Sequence, residues 1–138
     1  MVMHPSSLQW FIETYVEKPP EKITEYKEIE AIICDETNVH PDLLFTKSHK
    51  REVVETRYLC MFFALILLYG GLRQSEALTR AGLRYGKDRT TVLHGNTTIK
   101  NLYEFDIYFR RLINKCLGRL HLSPMDVFHK VKADGNKL

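Results

Sequence analysis

The residues best suited to chemistry lie between positions 79 and 100, TRAGLRYGKDRTTVLHGNTTIK. Thr79 can cap a short helix over 79–84, and Tyr85-Gly86-Lys87 makes a tight turn. Asp88 can cap a second helix over 89–103, because its carboxylate can accept from the free amides of the first turn. A short helix, a glycine turn and a second helix that begins with polar residues form the layout of a helix-turn-helix. In that layout the first turn of the second helix meets base edges in the major groove. Lys87, Asp88, Arg89, Thr90 and Thr91 stand there. Arg89 can fork onto guanine O6 and N7, and a threonine can set its methyl against that of thymine or its hydroxyl on a phosphate. Asp88 either caps the helix or accepts from a cytosine amine, and the free amides favour a nearby phosphate.

Other chemistries fit poorly. Asp88 and His94 are six residues apart on one predicted helix, so their side chains point to different faces. Carboxylates show no metal-ligand spacing, and no nucleophile has a base placed near it. Cys34, Cys60 and Cys116 are far apart, odd in number and set among apolar residues, which reads as reduced core thiols rather than a zinc site. Residues 82–87 give only G-x-x-x-G-K followed by Asp88, one residue short of a phosphate loop. The expectation is therefore no enzyme, no cofactor, no metal and no bound nucleotide.

The elements that must position these residues are helical almost throughout. Ser6 and Ser7 can cap a first helix with Leu8, Phe11, Ile12 and Tyr15 on one face, ended by Pro19-Pro20. Ile23, Tyr26, Ile29, Ile32 and Ile33 predict an amphipathic helix to about Asp35. A break at 38–41 and a short apolar turn at Leu43, Leu44 and Phe45 follow. Residues 46–50 form a polar, basic connection. A long helix is predicted over 51–69, stopped by Gly70-Gly71, and 72–77 reads as a loop or extra turn. On the helix over 89–103, Leu93, Ile99 and Leu102, with Val92 beside them, mark the buried side. On a helix over 105–120, Ile107, Phe109, Leu112, Ile113 and Cys116 face inward. Ser123-Pro124 opens a last short helix to about Val131, and 132–138 is a tail. No alternating strand is seen, so the class is all-α.

The chain has 138 residues, 44% of them hydrophobic and 27% charged, which suits one globular domain. Its net charge of +3 conceals a division. Residues 1–36 hold eight acids against three bases, whereas 37–138 hold seventeen bases against nine acids. An acidic head is joined to a basic body, and a basic body suits an anionic partner. No signal-peptide pattern opens the chain, and the most apolar run, residues 58–69, is too short for a bilayer span of roughly twenty residues. A cytoplasmic, nucleoid-associated protein is expected.

The motif KDRTTVLHG resembles the signature of the C-terminal DNA-binding domain of the bacterial replication initiator DnaA, commonly RDHTTVLHA. Upstream, HPDLLFTKSHKREVVETRYLCMFF, residues 40–63, is similar to the family's DLLSKSRKREIVLARQIAMYL, with one extra residue near Phe45. Leu78-Thr79-Arg80-Ala81-Gly82 stands where the family has LPEIG. The similarity covers about residues 29–120, which suggests an acidic helical arm over 1–28, a DNA-binding domain over 29–120, and a short C-terminal helix and tail over 121–138.

The resemblance implies a six-helix, Trp-repressor-like bundle that binds a short asymmetric duplex box as a monomer. It implies that Lys47, His49, Lys50 and Arg51 reach a minor groove and that Arg57 touches phosphate. Lys87, Asp88, Arg89, Thr90 and Thr91 would read the major groove, and His94 would contact the backbone. Arg89 replaces the family's usual histidine and adds a fixed bidentate charge, so the preferred box is expected to differ. His49 stands where initiators commonly place the minor-groove arginine, which weakens readout of a narrow, electronegative groove. Leu65 falls where some initiators have a basic residue, and the link over 70–77 is longer than the family's. The whole reads as a free-standing DNA-binding domain with an acidic arm and no ATPase module, acting in replication initiation or its regulation. A transcriptional regulator, or a protein-interaction module that lost its DNA role, are the alternatives. Trp10, Phe11, Tyr15 and Tyr26 make the first part of the chain more aromatic than a solvated arm needs, so it either packs back on the body or presents a surface to a protein partner.

Overall fold

The computed structural model describes residue 23 and residues 25–128. The helix expected behind Ser6 and Ser7, the end of the last helix and the tail lie outside the described residues. Among the described residues the chain is all-α, as expected, with no strand.

Helix α1, Tyr26–Thr37, buries Tyr26, Ile29, Glu30, Ile33 and Cys34, the three- and four-residue spacing of one helix face. It ends at Asn38, whose φ of 60° is left-handed, a conformation asparagine tolerates. Tyr26 is a core residue, so the body's first helix begins before the boundary expected at residue 29. A 3-10 helix, Pro41–Phe45, follows, with proline in its first turn and the His40 ring accepting from the Asp42 amide at 3.1 Å. Helix α2, Arg51–Leu67, is buried at every residue from Leu59 to Ala64, as befits a central helix. It closes two residues before the expected end, where the amides of Leu68 and Tyr69 both turn to the Ala64 carbonyl, at 2.9 and 3.2 Å.

Helix α3 runs Gln74–Leu83, which corrects the expected loop over 72–77 and the role given to Thr79. Thr79 is no cap: it lies inside the helix and its hydroxyl donates to the Ser75 carbonyl at 2.9 Å. Glutamine, glutamate, alanine and leucine at 74 and 76–78 are good helix formers, and Ala77 and Leu78 face the core. The turn after α3 is as expected, with Gly86 at a φ of 68° that favours glycine. Helix α4 is Arg89–Phe105 and α5 is Ile107–Arg119. Asp106 alone joins them, and its carboxylate accepts from the Phe109 amide at 3.0 Å. Two expected core positions point outward. Leu93 is 48% exposed because the buried series on α4 is Val92, Gly95 and Ile99, and Ile107 is 55% exposed because it opens α5 at the corner.

Two apolar clusters hold the bundle. The larger joins α1, α2, the end of α4 and α5, and it is closed by Phe128, in the last helical turn at 124–128, which stacks on Tyr103 at 3.8 Å. The smaller one, Met61, Leu78, Ala81 and Val92, ties α3 and α4 to α2, with Tyr58, Leu65, Tyr69 and Tyr85 packed round it. Leu65 is thus a packing residue here. Two glycines let these helices close. A Cβ at Gly82 would lie 2.4 Å from the Lys87 carbonyl oxygen, and one at Gly95 would lie 2.7 Å from the Tyr58 ring.

Gly82→Ala is expected to cost about 1–3 kcal/mol, at the upper end, because the obstacle is backbone rather than a flexible side chain. Denaturant unfolding measures it, and an unchanged midpoint would show that the turn yields freely.

The three cysteines are buried. Burial pushes the Cys34 thiol up to about 11, the Cys116 thiol up to about 12, and Cys60 well above its usual value. An acid whose folded pKa is raised contributes stability that is complete below its unfolded pKa, about 8.5 for a thiol. That stability is lost as pH rises towards the folded values. The melting temperature is therefore expected to fall as pH climbs from about 9 to about 11, more than in a triple Cys→Ala variant. At about pH 8, thiol reagents should label the chain only on unfolding.

Candidate nucleic-acid interface

The polar start of α4 is held by three local devices. The Asp88 carboxylate accepts from the Thr91 amide at 2.9 Å, which confirms the expected cap. That backbone hydrogen bond also holds the Asp88 carboxyl below its usual range. The Lys87 amide bonds back to the Gly82 carbonyl at 2.9 Å, so the turn is closed tightly on α3. Val92, Gly95 and Ile99 then face inward, at steps of three and four.

Burying that series leaves the opposite side of α4 bare. Arg89, Thr90 and His94 are exposed, and Lys87 and Thr91 are half-buried. Arg89 and Leu93 stand one turn apart, as do Thr90 and His94, so these four share an outward stripe. Arg89, Thr90 and Leu93 line an open groove with Gln74, Ser75 and Leu78 of α3. His94 is set edge-on to the Tyr58 ring at 6.1 Å, an approach that Gly95 permits.

The basic connection is likewise shaped. The Thr46 hydroxyl donates to the Leu43 carbonyl at 2.7 Å and accepts from the Ser48 amide at 3.3 Å, and the Ser48 hydroxyl accepts from the Lys50 amide at 3.3 Å. These small side-chain turns present Lys47, His49, Lys50 and Arg51 outward, all four exposed. Arg51 also donates to Glu55 one turn on, at 3.2 Å.

Arg57 stands apart from the other expected contacts. It is only 3% exposed, and its guanidinium donates to the carbonyls of Leu44 at 2.9 Å and Thr46 at 3.1 Å. The structure thus places it behind the basic connection as a brace, with α2 holding the loop from within.

Of the groove residues, Leu93 reads from the sequence as a core position, and Gln74 and Ser75 carry no sequence signal. The register of α4 could have found Leu93, since it lies one turn beyond Arg89. Gln74 and Ser75 could not be found while 72–77 read as a loop. Among the described residues no cluster of His, Cys, Asp and Glu is placed to hold a metal ion. No helix there is long and apolar enough to cross a membrane.

Residues 26–99 match the family described as the bacterial dnaA protein helix-turn-helix, a span of more than half the chain. The chain is 32% identical over 96 residues to the chromosomal replication initiator protein DnaA of Flavobacterium psychrophilum, which covers 68% of this chain and 19% of that protein. It is 33% identical over 95 residues to the DnaA of Spiroplasma citri, covering 68% of this chain and 20% of that protein. It is 31% identical over 125 residues to the DnaA of a Synechococcus species, covering 85% and 25%. The chain thus spans about a fifth to a quarter of the length of these relatives. No solved structure matches it. With this match over the very helices that carry the stripe and the basic connection, the chain belongs to the bacterial DnaA helix-turn-helix family.

Proposed function

We propose that this chain is a sequence-specific binder of double-stranded DNA that acts in replication initiation or its regulation. The observation that carries this reading is the outward stripe of Arg89, Thr90, Leu93 and His94 on a capped helix whose other face is locked into the bundle. Such a helix can lie in a major groove with its first turn against base edges. Arg89 forks onto a guanine, Thr90 and Leu93 set methyl groups against thymine, and His94 meets a phosphate. Asp88 caps the helix, which uses the side chain that could otherwise take a cytosine amine. Lys87 and Thr91 flank a phosphate beside the first-turn amides. Lys47, His49, Lys50 and Arg51 lie along the neighbouring minor groove.

Arg57 contributes from behind, by fixing the Leu44 and Thr46 carbonyls and hence the shape of the connection. The duplex is bound by a single copy, without nucleotide or metal, and the setting is the cytoplasm. No residue in the stripe has the arrangement of a nucleophile and base, so the role is recognition, not catalysis. A transcriptional role would use the same surface. The corner at Phe105, Ile107 and Tyr108, exposed at 79%, 55% and 78%, favours a protein contact as a second, separate reading.

Affinity for random duplex DNA should fall by roughly two to three orders of magnitude between about 50 and 200 mM salt, as for about five phosphate contacts. Absence of binding at the low end would leave only the protein-contact reading. Arg89→Ala should cost about 1–3 kcal/mol on the best box and relax the preference at one base pair. If the variant ranks a random duplex library as the parent does, Arg89 is no reader. Arg57→Ala should weaken all duplexes alike and lower stability by about 1–3 kcal/mol, because two carbonyls lose their donor. Loss confined to one box would contradict the bracing role.

A further inference from the structure

Glu30 lies on α1 and is 4% exposed. Its carboxylate accepts a fork from Arg84, Nε at 2.7 Å and the second nitrogen at 2.6 Å, and a third bond from the Tyr85 hydroxyl at 2.5 Å. Arg84 and Tyr85 are the last two residues before the Gly86 turn. The last turn of α3, just before it, is also tied to α1, since the Tyr26 hydroxyl donates to the Ala81 carbonyl at 2.9 Å. The Arg84 guanidinium lies over two rings, 5.1 Å from that of Tyr26 and 5.3 Å from that of Phe45. Tyr85 packs against both of those rings as well. Phe45 in turn is two residues before Lys47, where the basic connection starts.

One buried carboxylate therefore reaches both parts of the proposed interface: the turn that aims α4, and the 3-10 helix from which the basic connection leaves. We infer that Glu30, acting through Arg84 and Tyr85, is a positioning residue that sets the register between the major-groove helix and the minor-groove connection, and so tunes sequence discrimination without touching DNA. This rests on the duplex-reading function proposed above. A carboxylate with two forked donors and a hydroxyl has a definite direction. A point charge on a flexible stem would not fix the turn in the same way.

The test uses the full chain and a random-sequence duplex library. The best box is selected with the parent, and its affinity is compared with that for random duplex. Glu30→Gln and Arg84→Met change net charge in opposite directions. If Glu30 and Arg84 acted only through the protein's overall charge, these two variants would shift affinity for all DNA in opposite senses. If they set register, both lower the box-to-random ratio by roughly tenfold, the size of one lost base-pair contact. Affinity for random duplex should then stay within about twofold, since the phosphate-facing cations are intact. Arg84→Lys, which keeps the charge and loses the fork, should not restore the ratio. Tyr85→Phe keeps the ring and removes one hydroxyl, and it carries the test if another variant fails to fold by circular dichroism. A parent without any preferred box overturns the proposed function and this inference with it. A parent with a preferred box, and folded variants that keep its ratio, overturns the positioning role alone.

Discussion

A carboxylate withdrawn from water must be paired and hydrogen-bonded, or its burial is strongly unfavourable. Glu30 meets that demand with Arg84 and Tyr85, which fastens α1 to the turn before α4. The pair is separated by 54 residues in sequence and closes α1 onto the turn between α3 and α4. Arg84 is held above its ordinary pKa, chiefly by the Glu30 hydrogen bond. Burial, first of all, raises the Tyr85 hydroxyl too, so it remains a donor to Glu30 across the physiological range. The fork, the hydroxyl and the flanking rings leave the turn little freedom. Gly82 then brings α3 against Lys87 closely enough that α4 begins from a fixed point.

This constraint changes how the charge division in the sequence is understood. Part of the acidic head is not an arm at all. Glu30 sits inside the body, and Asp35 and Glu36, at the end of α1, pair with Arg119 at 2.5 and 3.1 Å. Acids from the first thirty-six residues thus bind two of the body's arginines. The cations at 47–51 face solvent instead, and Arg51 shares its charge with Glu55. Acids of α1 thus neutralise Arg84 and Arg119, while Lys47 and Lys50 keep their charge in solvent.

Much of this was legible in the sequence because it depends on local rules. The apolar spacing of α1, α2 and α5, the Asp88 cap and the Gly86 turn each follow from residues within a turn or two of one another. The start of α3 was not legible. Its N-cap, Arg73, carries no capping bond, so no start signal stands before Gln74. The face of α4 was misjudged by one residue, since Val92 and Leu93 are both apolar and only packing against Ala81 and Met61 selects Val92. The inward placement of Arg57 depends on carbonyls thirteen and eleven residues away, and the pairing of Glu30 on partners more than fifty away. Family similarity suggests an outward, phosphate-facing Arg57, whereas the packing turns the side chain inward.

The central claim is that one face of α4 and the basic connection together hold a DNA duplex. Backbone amide shifts of isotopically labelled full chain, followed while a duplex bearing the selected box is added, test it most directly. The account predicts changes concentrated at residues 47–51 and 87–94, with the α5 face around Arg111 and Lys115 unmoved. Changes centred instead on Phe105, Tyr108 and that α5 face, with 87–94 silent, would contradict it.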